Sequence, residues 1–307
     1  MSEISLTVSA DAGTGMRLDR YCATKTGTVS RSRLKSGMIA VTVNGVPAKM
    51  SRIVRENDTI IILWEDPPAE LPVAENIPLD IIFENEDVTV VNKKQGMVTH
   101  PAAGNWSGTL VHALLWHWKK TASEGNLRPG IVHRLDKDTS GIIITARNPE
   151  TETWLQEQFH SRNVCKVYAA ILKGIPKKKQ DDIKTQIARD SKDRKRFTWS
   201  DDTSKGRFAH TSYCVIKVYG SYSLVLFKLH TGRTHQIRVH SKYLGCPILG
   251  DPIYGKKDSL FIDATLMLHA RTLKIKLPGS PKYSRFDAPI PIRFKKVIKI
   301  LKEKFPE

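Results

Sequence analysis

The 307-residue sequence is poor in several things, and each shortage excludes something. It has only four cysteines, Cys22, Cys165, Cys214 and Cys246, far apart and with no CxxC pair. That argues against a zinc ribbon or a disulfide framework and makes a reducing cytoplasm the expected compartment. It has no long apolar run. The densest, Ile60-Ile61-Ile62-Leu63-Trp64, is strand-sized and far short of the ~18 residues of a membrane span. The opening MSEISLTVSADAG has no basic start and no apolar stretch, so no secretory signal is expected. No GxxxxGK[ST] phosphate loop, GxGxxG dinucleotide turn, GxSxG nucleophile elbow or HExxH zinc motif occurs, so nothing points to those chemistries. Acid is also scarce: 31 Asp and Glu against 49 Lys and Arg, a formal net charge of +18.

A positive field of that size attracts polyanions. Its distribution is uneven. Residues 16–55 carry nine Lys or Arg and a single acid, Asp19, while residues 177–207 carry eleven Lys or Arg against six Asp. Clustering of this kind is the electrostatic footprint of a nucleic-acid binder, though solvated surface lysines give the same totals. No basic amphipathic helix stands out, so a membrane surface is not the expected partner.

The chain divides by composition. Residues 1–65 read as a small α/β unit: a helix around MRLDRYCATKT, a second short helix SRSRLKS capped by Ser30 and ended by Gly37, then strand, Asn-Gly turn and strands. Residues 66–79 hold Pro67, Pro68, Pro72 and Pro78 among acids and read as an extended linker. Residues 80–307 are dominated by strand signals, with helices expected at GTLVHALLWHW, PETETWLQEQFHS, THQIRVHSKYLG and RFKKVIKILKEK. The expectation is an α+β fold: a mixed, mostly antiparallel sheet with flanking helices, preceded by the small α/β domain.

Three stretches could carry chemistry. In RPGIVHRLDKDTSGIIITARN (residues 128–148) two apolar strands flank a polar turn. Asp, Ser and Gly there are ordinary turn chemistry. Arg134 and Asp136, on one side of a strand with Leu135 opposite, are less easily explained as turn residues. A carboxylate at a strand end is a suitable acid, base or nucleophile. KLHTGRTHQIRVHSKYLG crowds Arg233, His235, Gln236, Arg238 and His240 together. The five-residue spacing of the two histidines does not stack metal ligands on a helix, so a basic helix start is the competing reading. CKVYAAILKG reads as a strand with Tyr168 in the core.

At HRLDKDTSG the sequence resembles the RluA-type pseudouridine synthases. VNKKQGMVTHPAAGNWSGTLVHALL, CKVYAAILKG, HTGRTHQIRVH, LMLHARTLKI and DAPIP are similar to further segments of that family, in order, over residues 80–300. Residues 16–64 resemble the alpha-L RNA-binding domain. The resemblance implies isomerisation of uridine in RNA to pseudouridine without cofactor or metal. The base leaves the ribose at a ring nitrogen, turns, and rejoins through a ring carbon.

By that resemblance Asp136 is the catalytic aspartate, attacking the sugar or removing a sugar proton. Arg233 is the arginine paired with it. Tyr168 lies against the base and is the candidate for the last proton removal, although a phenol is a poor base near neutrality. Arg134 would fill the gap left by the flipped base, its alternative being a salt bridge to Asp138. Leu268 would wall the uracil, with His133, Thr139 and Arg238 as further RNA or base contacts and Arg31 and Arg33 on the phosphate backbone. Ribosomal RNA of the large subunit is the favoured substrate and transfer RNA the alternative. A monomer is the default expectation. The competing functions are a non-catalytic RNA-binding protein and a carboxylate hydrolase of small glycosides.

Overall fold

The computed structural model describes residues 2–9, 15–26, 38–64, 71–102, 104–122, 128–193 and 195–306. The expected helix SRSRLKS, Arg31, Arg33 and Arg194 lie outside them. The chain forms two compact units, Met1–Glu70 and Leu71–Glu307.

In the first unit four strands, β1 (Ser2–Thr7), β2 (Met38–Val43), β3 (Val46–Pro47) and β4 (Thr59–Trp64), pair in the order β1-β4-β2-β3. Helix α1 (Leu18–Thr26) contributes Leu18, Tyr21 and Cys22 to a core with Val41, Val43, Ile60 and Ile62. The alternation in TIIILW is what buries Ile60 and Ile62. The expected Asn-Gly turn is present: Asn44 and Gly45 both have positive φ, as a two-residue hairpin requires. The Asn44 amide locks it, donating to Asp58 and accepting from the Thr59 backbone N–H, each at 2.8 Å.

The second unit is a ten-stranded sheet. Its strands are β5 (Ile81–Glu84), β6 (Val88–Lys93), β7 (Ser140–Ala146), β8 (Cys165–Lys173), β9 (Gln180–Arg189), β10 (Phe197–Ser200), β11 (Arg207–Tyr219), β12 (Tyr222–Leu229), β13 (Leu268–Lys276) and β14 (Tyr283–Asp287). The order is β10-β9-β11-β12-β8-β13-β7-β6-β5, with β14 on β13. Every pairing is antiparallel except β13 with β7. The helices are α2 (Leu110–Trp118), α3 (Pro149–His160), α4 (Gln236–Tyr243) and α5 (Ile292–Lys304), all at the expected places. Asn148 caps α3 by accepting the Thr151 N–H, with Pro149 in the first turn. In α5, Phe294, Val297 and Leu301 are buried at helical spacing, which sets its basic residues on the open side. None of the described helices is long and apolar enough to cross a membrane.

Two sequence expectations need correcting, and one stretch gains a structure its composition did not show. The stretch GIVHRLD is not a regular strand. Only Ile131 bridges to Thr145, because β13 pairs with β7 just at Ser140 and Gly141 and leaves the rest of that edge to the irregular segment. Part of the expected linker is packed: the Glu75 backbone N–H donates to His112 O, its carboxylate accepts from Gly108 N–H, and Leu79 joins the core. Residues 71–79 therefore belong to the second unit. The basic stretch 177–207 contains two strands, β9 and β10. Only every second residue of β9 is buried, Ile183, Thr185 and Ile187, so its charged outer face hid the pattern.

Candidate active site

The segment Val132–Thr139 is held by buried donors rather than by a sheet ladder. Lys93, at the end of β6 and 1 % exposed, donates to the carbonyls of Lys94, Met97 and Lys137. Burial pulls its pKa down to about 7, with Asp136 and Asp138 acting against that shift. Gln95 donates to Asp138 O and Leu266 O, and Thr99 to Leu135 O. The Thr139 N–H closes the turn on Asp136 O at 3.0 Å. Leu135 is buried in the main core, so the segment is pinned on both sides of Asp136.

Helix α4 supplies the opposite wall. Gln236 is buried, accepting from Thr231 Oγ1 and Arg233 N–H and donating to His210 O and Thr211 Oγ1. This ties the helix start to β11. Arg238, 3 % exposed, makes a two-pronged contact with Asp251 at 2.8 Å through Nε and Nη2. Its remaining Nη1 lies 3.8 Å from Asp136 Oδ2. Burial opposes the Arg238 charge, but Asp251 more than offsets it and raises the pKa; Asp251 is itself held below the ordinary carboxylate range.

His235, in the left-handed region at φ 57°, stands between the two walls. Tyr254 OH accepts the Phe197 backbone N–H at 2.8 Å and shares a hydrogen bond with His235 Nδ1 at 3.0 Å. The other ring nitrogen, Nε2, faces Asp136 Oδ2 at 3.9 Å. Burial depresses the His235 pKa, with Asp136 opposing, so the ring is neutral near pH 7. Asp136 therefore faces one permanent cation and one neutral imidazole across a cleft of about 530 Å³, a volume typical of small-molecule sites.

Asp136, Tyr168, Leu268, Thr139, Arg134, His133, Arg233 and Arg238 all line this cleft. The sequence placed the right segments together but misassigned two residues. The cation beside Asp136 is Arg238, not Arg233. Arg233 precedes α4 and donates to Phe208 O at 2.9 Å, whereas Arg238 sits in the first turn of the helix, inside the wall. Burial, then Arg207 and Arg162, lower the Arg233 pKa, which places it in an arginine cluster at the cleft. His133 is not a free contact either. Its Nε2 accepts the Ile144 N–H at 3.0 Å, and its ring stacks on Phe159 at 4.6 Å. Burial, then Lys166, push its pKa down to about 3, so it braces the β7 edge as a neutral ring.

Burial, then Asp136, push the Tyr168 phenol above its ordinary range. It stays protonated at neutral pH, so its phenolate is less available as a base than the sequence suggests. Thr139 Oγ1 is buried with no hydrogen-bond partner among the described residues. Arg134 is exposed and, among the described residues, forms no ion pair, so the alternative bridge to Asp138 is not made. Lys93, Gln95, His235, Asp251 and Tyr254 were not foreseen as supports. Their local sequences carry no signal, since each acts through a partner on a distant segment.

A mostly antiparallel sheet whose central strands and one helix enclose a lone aspartate beside a carboxylate-anchored arginine defines the class of protein. Residues 87–243 match the RNA pseudouridylate synthase family. An uncharacterized RNA pseudouridine synthase of Chlorobaculum parvum is 40% identical over 299 residues, covering 91% of each chain. The ribosomal large subunit pseudouridine synthase D of Borreliella burgdorferi is 40% identical over 288 residues, 91% of this chain and 87% of that one. The solved structure of human RNA pseudouridylate synthase domain containing 4 superimposes with a TM-score of 0.57 at 25% identity, covering 72% of this chain and 92% of that one. The chain belongs to the RluA family of RNA pseudouridine synthases and is an enzyme of that class.

Proposed function

We propose that the protein isomerises uridines of large-subunit ribosomal RNA, with Asp136 as the catalytic group acting on a flipped-out nucleotide. The observation that carries this reading is the single carboxylate of Asp136 across the cleft from Arg238, whose own position is held by Asp251. The reaction breaks the bond between the uracil ring nitrogen and the sugar, turns the base, and forms a bond from a ring carbon to the same sugar carbon. That ring carbon loses one proton and the nitrogen gains one, so the product is an isomer. Asp136 acts at the sugar. Tyr168 and Leu268 wall the base, and the partnerless Thr139 hydroxyl is available to it. Arg134, exposed at the cleft, takes the stacking place of the departed base.

Ribosomal RNA is supported by two relatives that bear the name ribosomal large subunit pseudouridine synthase D. Arg162 and Arg233, which line the cleft, and Arg207, which with Arg162 repels Arg233, are suited to the phosphates on either side of the reacting nucleotide. The test is pseudouridine mapping by carbodiimide-stopped primer extension on unmodified large-subunit ribosomal RNA and transfer RNA, using wild type and Asp136→Asn. Site-specific stops on ribosomal RNA, absent with the variant, are expected. Stops on transfer RNA alone would overturn the substrate, and stops retained by the variant would overturn the role of Asp136.

A further inference from the structure

A second group of chemistry-bearing residues stands on the outer face of the sheet. Strands β9, β11 and β12 pair so that Asp182 faces Ser212 and Ser212 faces Lys228. One step further His210 faces Lys184, and the His230 backbone N–H donates to His210 O. Period-two alternation puts 182, 210, 212 and 230 on one face, opposite the buried Ile183, Thr211 and Leu229. The two imidazoles are stacked, with centroids 4.0 Å apart and an interplanar angle of 11°. His210 Nε2 lies 3.3 Å from Asp182 Oδ1, yet that nitrogen has no hydrogen-bond partner and is shielded from solvent. Ser212 Oγ donates to Asp182 Oδ1 at 2.5 Å and takes the Nε2 proton of His230 at 2.7 Å.

We propose that Asp182, His210 and His230 form a binding site for a borderline-soft divalent cation, zinc in the first place. The three ligand atoms already lie within 4.8 Å of one another. Ligands about 2.1 Å from a tetrahedral zinc are about 3.4 Å apart, a spacing that the His210–Asp182 pair already has. Two imidazoles with one carboxylate favour zinc over magnesium or calcium, which prefer all-oxygen sets. Three protein ligands leave a fourth position for water or the Ser212 hydroxyl.

Binding requires the stacked rings to tilt toward a common point. It also requires the His230 proton to move from Nε2 to Nδ1, a tautomer change with no net proton release. Lys228 and Lys184 oppose a cation on this face, and Asp182 supplies the only negative charge among the three ligands, so the site is weaker than a closed structural zinc centre. The arrangement is not a Ser-His-Asp triad, because the serine contacts both the acid and the ring. His230 leads directly into Thr231–Gln236, which lines the catalytic cleft, so a bound cation would tie that segment to β9 and β11.

The experiment is zinc titration of the full chain at about pH 7.5 against a chromophoric chelator, with histidine ring NMR and Co²⁺ absorption beside it. One bound equivalent is expected, moving the ring signals of His210 and His230 and giving a cobalt spectrum without thiolate charge-transfer bands. Affinity should fall at least about tenfold in Asp182→Asn and in His210→Gln. No saturable binding, binding unchanged in both variants, or thiolate bands from the cysteines would overturn the site. Should either variant misfold, the wild-type NMR decides: ring signals of His210 and His230 that stay in place while zinc is taken up also overturn it.

Discussion

Arg238 is the residue on which the site depends, because it joins two carboxylates of different purpose. Asp251 fixes it and Asp136 uses what remains of its charge. Arg238→Met should leave Asp251 buried and unpaired, destabilising the protein by about 3–5 kcal/mol in denaturant unfolding. Arg233→Ala should change stability by less than about 1 kcal/mol and show instead as weaker RNA binding. Asp251→Asn should lower kcat by roughly 10- to 100-fold with little change in RNA affinity, since it loosens the support of the cation and not its charge. A second residue-scale consequence concerns pH. His240 and His269 are fully buried, and burial first, then His210 beside the one and Arg293 and Arg271 beside the other, lower both to about 4. Between about pH 6.5 and 4 the unfolded chain binds protons that the folded one refuses, so stability falls as pH falls through that window. Each contributes on the order of 3 kcal/mol to the loss by pH 4. Carboxylates with lowered values, such as Asp251, add their loss only below their ordinary range. Unfolding midpoints between pH 7 and 4 would measure this, and His240→Gln should flatten the slope.

Among the elements, the parallel contact of β7 with β13 sets the position of the turn that carries Asp136. Gly141 lies there at φ +112°, and a Cβ would overlap Ala270 O and come within 2.7 Å of Ala270 N. Gly141→Ala should therefore destabilise by more than about 4 kcal/mol and abolish turnover, seen in thermal unfolding and in a single-turnover assay. The sequence showed this glycine only as part of a turn. Its packing role comes from a strand some 130 residues later, which no local pattern reveals. The helices were easier to read. The cap of α3 and the apolar spacing of α5 are encoded within the elements themselves, whereas β9 was obscured by lysines and aspartates on its open face.

At the scale of the whole molecule the +18 charge governs approach to RNA. The logarithm of the RNA affinity should fall linearly with the logarithm of salt concentration. Arg162→Ala and Arg207→Ala should each lower that slope by about one without changing which uridine is modified, if the arginine cluster contacts phosphates. Filter binding over a salt series, with mapping beside it, would show both.

Fold class, helix positions and the segments that meet at the cleft were all written in local patterns: alternation, capping residues, and motifs whose order the folding does not alter. Asp136 was recognisable because its neighbours His133-Arg134-Leu135 and Thr139-Ser140-Gly141 travel with it along the chain. What the linear order could not decide was which arginine faces that aspartate. Arg233 and Arg238 are five residues apart, and choosing between them depends on where α4 starts and on Asp251 pulling one guanidinium inward. The neutral state of His235, the bracing by His133 and Lys93, and the Asp182–His210–His230 cluster likewise depend on burial and on contacts across strands. Those are properties of the folded molecule, because desolvation and ion pairing act through space and not along the sequence.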